Sequence, residues 1–279
     1  MSNSEKDFER ANQKRMDSAG VKRNHAIQKP LSFIQNKYLV TSNKRGVGKT
    51  SLSANLSVTL SKKGKKVGLI DLDFDGMDIS RILGLKGNHK IDEDNLYIPQ
   101  PYSDNLQVIS VESILKDVDQ TAAQGEELKT HVVRRCIANV NWGEIDYLIV
   151  DFPPGTGPEL KAAAQMIQDG EIILVSTPQP ESLTEIEKLI QFYNNLEMTV
   201  WGIIENNSGI FCSECDKTGD STLTESVIME IDYLGRIPTA IDRMSKCIEA
   251  GESFLEKYPD SEAAHGYNVI AEKIIGRCR

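Results

Sequence analysis

Short apolar runs alternate with amphipathic stretches along most of the chain. The first run, residues 38–42, predicts a buried strand, and the stretch 50–62 predicts a helix, since leucines recur there every four residues. Buried strands that alternate with amphipathic helices form a parallel sheet with helices on both faces. We therefore expect an α/β fold with a doubly wound, mostly parallel sheet.

The same alternation continues to the end of the chain. One polar segment precedes it and another interrupts it. Residues 1–36 are charged, with scattered apolar positions, which predicts a flexible or loosely helical extension or else an arm that docks a partner. Residues 85–105 predict one long polar loop. Residues 37–279 are then expected to form a single domain. The other predicted strands lie at 67–71, 106–111, 147–150, 172–176, 200–205 and 233–237, and the other predicted helices at 127–139, 159–167, 181–195, 241–250 and 261–275.

Composition narrows the possible partners. The formal net charge of −9 argues against a nucleic-acid surface, because phosphate backbones require clustered Lys and Arg. The longest apolar runs are strand-length, far short of the roughly 20 residues of a membrane helix, and the N-terminus has no signal-peptide pattern. We therefore expect a soluble, cytoplasmic protein without nucleic-acid or membrane partners. In a reducing cytosol, neighbouring cysteines more often bind metal or do redox chemistry than form disulfides.

The segment SNKRGVGKTS, residues 42–51, joins the first predicted strand to the first predicted helix, which is the context of a phosphate-binding P-loop. Gly46 and Gly48 allow the backbone to turn so that N–H groups point at phosphate oxygens. Lys49 supplies positive charge to the β- and γ-phosphates, and the Thr50 hydroxyl is placed to bind Mg²⁺. The alternative is a glycine-containing turn without a ligand. The predicted nucleotide-binding residues of the loop are Asn43, Lys44, Arg45, Gly46, Val47, Gly48, Lys49, Thr50 and Ser51.

A second lysine lies early in this loop. An early lysine followed by GVGKT resembles the deviant Walker A ATPases, the MinD/ParA-like group. The resemblance implies an ATP-sandwiched homodimer in which Lys44 reaches the phosphates of the neighbouring subunit, so that Lys44 and Lys49 both act in catalysis. The usual loop of that group reads GKGGVGKT, so Asn43 and Arg45 replace glycine here. Asn tolerates left-handed backbone angles, whereas Arg45 either alters the loop or adds positive charge at the dimer face.

Acidic residues end two of the predicted strands. Acids at a strand's carboxyl end lie beside the phosphate loop in a doubly wound fold. In the group that the loop resembles, an Asp-x-Asp motif supplies the hydrolytic aspartate, which implies Asp73, supported by Asp71; the alternative is that these acids cap a helix. An apolar strand ending in an acid is the Walker B arrangement, so Asp151 is expected to hold Mg²⁺. The PPGTG loop that follows either offers the Gly155 N–H to the γ-phosphate as a switch or is a plain turn.

Cys212 and Cys215 form a Cys-x-x-Cys pair after the predicted strand at 200–205 and a predicted turn at 206–209. The pair is a thioredoxin-like dithiol, half of a metal site, or a chance arrangement. Redox pairs normally lie at a helix N-terminus early in their domain, which disfavours the first alternative. A Zn²⁺ ion or a [4Fe–4S] cluster needs about four ligands. A two-fold dimer would bring two pairs together and complete them, so a metal at this pair predicts a homodimer.

Five motifs in order resemble the Mrp/ApbC-type iron–sulfur carrier ATPases over residues 37–279. The resemblance implies that Cys212 and Cys215 of two subunits bind a [4Fe–4S] cluster for delivery to apo-proteins, with Zn²⁺ as the alternative metal. It also implies a slow ATPase and an adenine contact from Asn206, for which a turn residue is the alternative. The motifs are VGLIDLDFDGMDISRILGL, YLIVDFPPGTGPE, VSTPQPESL, IIENNSGIFCSEC and LGRIP.

Two other functions fit the P-loop. The first is a ParA/MinD-type spatial organiser or regulatory ATPase, which needs a basic DNA-binding face or a basic amphipathic membrane helix. The second is an ATP-gated electron donor that resembles the nitrogenase iron protein, whose cluster cysteines come from separate loops. The Cys-x-x-Cys pair favours the iron–sulfur carrier over both.

Overall fold

The computed structural model describes residues 31, 33–42, 44–74, 79–86, 89–115, 125–178, 182–208, 210–212, 217–219 and 231–277. Within these residues, strands and helices alternate as the hydrophobic pattern predicts. In chain order the elements are β1 (Asn36–Thr41), α1 (Lys49–Lys62), β2 (Val67–Asp71), α2 (Ile79–Ile82), β3 (Lys90–Ile91), β4 (Tyr97–Ile98), β5 (Gln100–Ser103), β6 (Leu106–Ser110), α3 (Val111–Leu115), α4 (Glu126–Ala138), β7 (Tyr147–Asp151), α5 (Pro158–Met166), β8 (Glu171–Ser176), α6 (Ser182–Asn195), β9 (Thr199–Ser208), β10 (Ile210–Cys212), β11 (Lys217–Gly219), β12 (Asp232–Pro238), α7 (Ile241–Ala250), α8 (Phe254–Lys257) and α9 (Glu262–Gly276).

One eight-stranded sheet organises the molecule, in the order β12-β9-β8-β1-β7-β2-β6-β5. Neighbouring strands are parallel except for β5, which runs antiparallel to β6 at the edge. The doubly wound, mostly parallel α/β fold is therefore confirmed. Because β1 is central, the loop that follows it lies beside the carboxyl ends of β7 and β2 on one side and of β8 on the other.

The core has two layers, one on each face of the sheet. Tyr38 and Val40 of β1 face the layer that contains α1, α7, α8 and α9, and Leu39 faces the layer that contains α3 to α6. This alternation follows from the two-residue period of a strand. Leu31 and Ile34 are also buried in the second layer, so apolar packing begins before the domain boundary predicted at residue 37. Residues 1–30 of the predicted extension lie outside the described part of the chain.

Helix α1 is buried on all sides, whereas its leucine spacing predicts a single apolar face. It lies between the sheet and α9, so its polar positions are enclosed as well. The hydroxyls of Ser57 and Thr59 donate to backbone carbonyls four residues earlier, each at 2.8 Å. Such bonds satisfy small polar side chains inside a core. The polar residues of α1 therefore do not mark a solvent-exposed face.

Two other predictions about local structure are wrong. The predicted long loop at 85–105 instead contains the β3–β4 hairpin and the edge strand β5. The asparagine-rich segment after residue 205 was predicted to be a turn, but it continues β9 as far as Ser208 because it pairs with β12. Tertiary pairing thus overrides the turn preference of Asn and Ser.

Candidate functional site

The predicted P-loop joins β1 to α1 at the carboxyl edge of the sheet. Gly46 and Gly48 have φ values of +79° and +84°, in the left-handed region that favours glycine. Arg45, which stands where the related loops have glycine, is exposed and is not among the described non-glycine residues with positive φ. A side chain is therefore tolerated there without backbone strain. Asn43 lies outside the described residues.

Lys49 points into the carboxylates that the sequence predicts to be its neighbours. Its ammonium lies 3.0 Å from Asp151 Oδ2 at the end of β7 and 3.6 Å from Asp73 Oδ2 after β2. Lys49 and Asp73 are largely buried, and Asp151 is fully buried. The structure therefore brings together the predicted P-loop lysine, the predicted hydrolytic aspartate and the predicted Walker B aspartate.

Two hydroxyls on α1 orient Asp151. Ser53 donates to Asp151 Oδ1 at 2.8 Å, and Thr50 also hydrogen-bonds this carboxylate. Burial raises the pKa of Asp151, while Lys49 and both hydroxyls lower it. Ser53 was not predicted from the sequence. The sequence feature that could have revealed Ser53 is its position four residues after Lys49, because this spacing places both side chains on one face of the helix.

Asp71 is a second buried carboxylate beside this group. Burial raises its pKa well above the usual value, the charge of Asp151 raises it further, and bonds from the backbone N–H groups of Ile79 and Asp73 lower it. Both bonds are 3.0 Å long. Asp71 thereby fixes the chain that carries Asp73, which is the supporting position that the sequence suggests.

Gly155 and Asn206 both contact the loop that precedes α1. Gly155 has a φ of +97°, and its N–H donates to the Ser42 carbonyl at 3.3 Å. Asn206, buried at the end of β9, donates from Nδ2 to the Val47 carbonyl at 2.7 Å. A Cβ added at Gly48 would lie 2.2 Å from this Nδ2, so the amide packs directly on the loop. The adenine contact of Asn206 remains a prediction.

A cavity of about 420 Å³ opens between the P-loop, the end of β9 and α7. Its apolar wall on α7 was not predicted, because nothing in the sequence links this late helix to the loop. A larger groove of about 920 Å³ runs along β12 and α9 and shares no lining residue with it. The residues that line the loop cavity are Lys44, Arg45, Gly46, Val47, Gly48, Lys49, Thr50, Ser51, Asp73, Pro154, Asn206, Asn207, Ile241, Met244, Ser245 and Ile248.

The first cysteine of the predicted metal pair lies in a short hairpin. Cys212 is the last residue of β10, and its backbone pairs with Lys217 of β11. Cys215 lies outside the described residues. Within the described part of the chain, no three His, Cys, Asp or Glu residues form a metal-ligand group, and no helix has the length and apolarity needed to cross a membrane.

Comparison with known proteins identifies the family. The model of the NUBPL iron-transfer P-loop NTPases within the ParA proteins matches residues 33–275. A cytosolic Fe-S cluster assembly factor of Dictyostelium discoideum, a NUBP2 homolog, is 37% identical over 83% of this chain and 91% of the relative. An iron-sulfur cluster carrier protein of Saccharolobus solfataricus is 31% identical over 89% of this chain and 86% of the relative.

Solved structures agree with this fold. A nucleotide-binding protein of Archaeoglobus fulgidus in complex with ADP has a TM-score of 0.69 at 28% identity, covering 86% of this chain and 98% of that one. The septum site-determining protein MinD of Pyrococcus horikoshii has a TM-score of 0.61 at 22% identity, covering 86% and 95%, and supports the fold alone. Both family resemblances in the sequence are thus confirmed. The chain belongs to the NUBPL iron-transfer P-loop NTPases of the ParA group.

Proposed function

We propose that this NTPase binds ATP with Mg²⁺ and hydrolyses it slowly as a homodimer, and that it carries a [4Fe–4S] cluster to apo-proteins. The observation that carries the proposal is the path of β9. Its last residues include Asn206 and Asn207, which line the P-loop cavity, and Cys212 follows in the hairpin that begins at Ile210. One strand end therefore links the nucleotide cavity to the cysteine pair.

Two residues at the P-loop suit Mg²⁺. Thr50 and Asp151 offer hydroxyl and carboxylate oxygens, the ligands that Mg²⁺ prefers. Asp151 Oδ2 is buried and lies 3.0 Å from the Lys49 ammonium, at the edge of the P-loop. Mg²⁺ usually takes few protein ligands and completes its shell with phosphates and water. When bound, Mg²⁺ neutralises charge that develops on the β- and γ-phosphate oxygens.

The predicted site residues have separate roles in ATP hydrolysis. The loop N–H groups and Lys49 bind the phosphates, and Asp73 orients the attacking water. Lys44 reaches the phosphates of the second copy across the dimer. The Gly155 N–H exchanges its long bond to Ser42 for the γ-phosphate, which makes the segment after β7 sensitive to hydrolysis. Asn206 supports the loop and contacts the base.

The cysteine pair is proposed to hold the cargo. Two thiolates from Cys212 and Cys215 of each copy supply the four ligands of a [4Fe–4S] cluster, with Zn²⁺ as the alternative. The family's description as iron-transfer NTPases and the names of both curated relatives support the cluster. The Dictyostelium discoideum relative, which is named as cytosolic, supports a cytosolic site of delivery.

The cargo site is tested by anaerobic reconstitution of the full chain with iron and sulfide. We expect a brown dimer with one cluster, and loss of colour when Cys212 and Cys215 are both replaced by Ala. Cys247→Ala is the matched control, since it removes a buried thiol on α7 outside the pair. Stoichiometric cluster binding by the double variant would contradict the assignment, and zinc without iron or sulfide would select the alternative metal.

The nucleotide site is tested separately. We expect the purified chain to bind and slowly hydrolyse ATP when Mg²⁺ is present, and Asp73→Asn to retain binding while losing hydrolysis. Calorimetry and phosphate release measure the two properties. A chain with no measurable affinity for any nucleoside triphosphate in the presence of Mg²⁺ would end the proposal.

A further inference from the structure

The two lysines of the P-loop point to opposite sides of β1. Lys49 faces the acids at the ends of β7 and β2. Lys44 faces the other side, where its ammonium lies 3.1 Å from Oε2 of Glu185 in the first turn of α6, the helix that follows β8. Because β1 lies between β7 and β8, the sheet order itself separates the two cations.

Glu185 has a fixed position. Its neighbours on α6, Ile186 and Leu189, are 5% and 2% exposed and pack into the core with β8. The N-terminal end of a helix favours negative charge, so the first turn suits a carboxylate. A small gap between the P-loop, β8 and α6 is lined by both Lys44 and Glu185. Glu185 therefore projects from a helix that is anchored in the core, whereas Lys44 lies in the P-loop.

The strength of the pair suits a reversible contact. The side chains of Lys44 and Glu185 are 36% and 27% exposed, and ion pairs with such access to solvent change equilibria by only about two- to five-fold. Charge-assisted bonds from an ammonium to phosphate oxygens are stronger. A phosphate offered by a second copy can consequently take Lys44 from Glu185.

We propose that Glu185 is a positioning residue that withholds Lys44 from the dimer contact. In the single chain Glu185 keeps the Lys44 ammonium against α6, and dimer formation on nucleotide breaks this pair. The inference rests on the proposed function, in which Lys44 reaches the nucleotide of a second copy. Glu185 thus sets a threshold on ATP-dependent dimerisation without touching the nucleotide.

The test uses Glu185→Gln, which removes the charge and keeps the shape. Analytical ultracentrifugation of the full chain with Mg²⁺ and a non-hydrolysable ATP analogue gives the dimer dissociation constant. We expect the substitution to tighten the dimer about two- to five-fold at low salt. Glu185→Asp, which keeps the charge, should return the constant toward the wild-type value. Glu187→Gln is the matched control, because it makes the same charge change at an exposed position of the same helix.

Salt supplies a readout that a merely structural role would not change. At about 1 M salt the screening length falls to roughly 3 Å, so the wild type and Glu185→Gln should converge. Equal or weaker dimerisation of Glu185→Gln at low salt would overturn the role of Glu185, as would the same gain in Glu187→Gln. A wild-type chain that forms no dimer with the analogue would overturn the proposed dimer as well, so the two failures are distinguishable.

Discussion

Opposite ends of the same sheet each hold a group of charged side chains, and the two groups are built differently. At the carboxyl ends of the strands lies the carboxyl-end cluster, which consists of Lys49, Asp71, Asp73 and Asp151. It sets one ammonium against three carboxylates. Burial raises the pKa of Asp71 and of Asp151, so both acids are held in an environment that disfavours their charge.

At the amino ends lies the amino-end cluster, which consists of Arg277, Glu171, Trp201 and Asp232. Arg277 donates from Nε and Nη2 to the two oxygens of Glu171, at 3.0 and 2.8 Å. Its guanidinium also lies 4.5 Å from the centroid of the Trp201 ring. Trp201 Nε1 in turn donates to Asp232 at 3.0 Å. Each carboxylate here has a donor, and the arrangement fastens the end of α9 to the sheet.

The contrast separates a stabilising ion pair from a ligand site. A bidentate Arg–carboxylate pair with a stacked ring satisfies its own charges. Three acids around one lysine leave negative charge unbalanced. Clusters with strongly perturbed pKa values are typical of functional sites. The excess of acid in the carboxyl-end cluster therefore favours a cation at this edge of the sheet, which agrees with the Mg²⁺ of the proposed nucleotide complex.

The largest effect is expected for Lys49→Ala on nucleotide binding. Two charge-assisted hydrogen bonds to phosphate, each worth about 2 kcal/mol, would be lost, so affinity for Mg²⁺–ADP should fall about 1000-fold. Isothermal calorimetry measures the change. Arg277→Ala is the control from the other cluster and should bind as the wild type does. Equal loss in both variants would remove the functional distinction between the clusters.

The next effect concerns how the P-loop is held over the carboxyl-end cluster. Gly48→Ala combines a strained left-handed residue with a Cβ 2.2 Å from Asn206 Nδ2, and should lower the free energy of unfolding by about 2–4 kcal/mol. Gly46→Ala is the matched control, since it has a similar φ and nothing within 4 Å of the added Cβ. We expect about 1–2 kcal/mol there. Thermal unfolding measures both variants. An equal loss of unfolding free energy in the two would mean that the Asn206 side chain moves aside at no cost.

A smaller stability effect is expected for Arg277→Ala. Removing the guanidinium leaves Glu171 buried without its bidentate partner, and Arg277 is about a third exposed, so we expect a loss of about 1–3 kcal/mol of unfolding free energy. Arg277→Lys keeps the positive charge but lacks the planar guanidinium, so it should recover part of the lost unfolding free energy. Urea unfolding measures both. A wild-type midpoint for Arg277→Ala would show that the amino-end cluster does not stabilise the fold.

The sequence reveals the carboxyl-end cluster and hides the amino-end cluster. Lys49 and Thr50 lie in one contiguous motif, and Asp151 ends an apolar strand, so local patterns are sufficient to find them. Arg277 and Glu171 are 106 positions apart and belong to no motif. They meet because α9 returns along the sheet, and no local pattern carries that information.

The sequence also does not predict which way two side chains at the P-loop point. The resemblance of the P-loop to the deviant Walker A loops predicts Lys44 as a second phosphate lysine, but its contact with Glu185 depends on β8 lying next to β1. Likewise, Asn206 was identified at a turn, whereas pairing of β9 with β12 makes it a strand residue whose amide packs on Gly48. Strand order decides both outcomes, and strand order is a property of the whole chain.

The smallest effect on the free energy of unfolding is expected for an exposed ion pair. Comparing it with Arg277 shows how much burial of Glu171 contributes to stability in the amino-end cluster. Lys63 lies 3.2 Å from Glu272, whose side chain is 70% exposed, and the pair joins α1 to α9 near the same end of the sheet as Arg277. Exposed pairs contribute between about 0 and 1 kcal/mol, so Lys63→Ala should change the free energy of unfolding by less than about 0.5 kcal/mol in urea. If it matched Arg277→Ala, the loss in both variants would reflect a general role of charge between α1, α9 and the sheet. A silent Lys63→Ala beside a destabilised Arg277→Ala would instead assign the stability to the buried, bidentate geometry at Glu171.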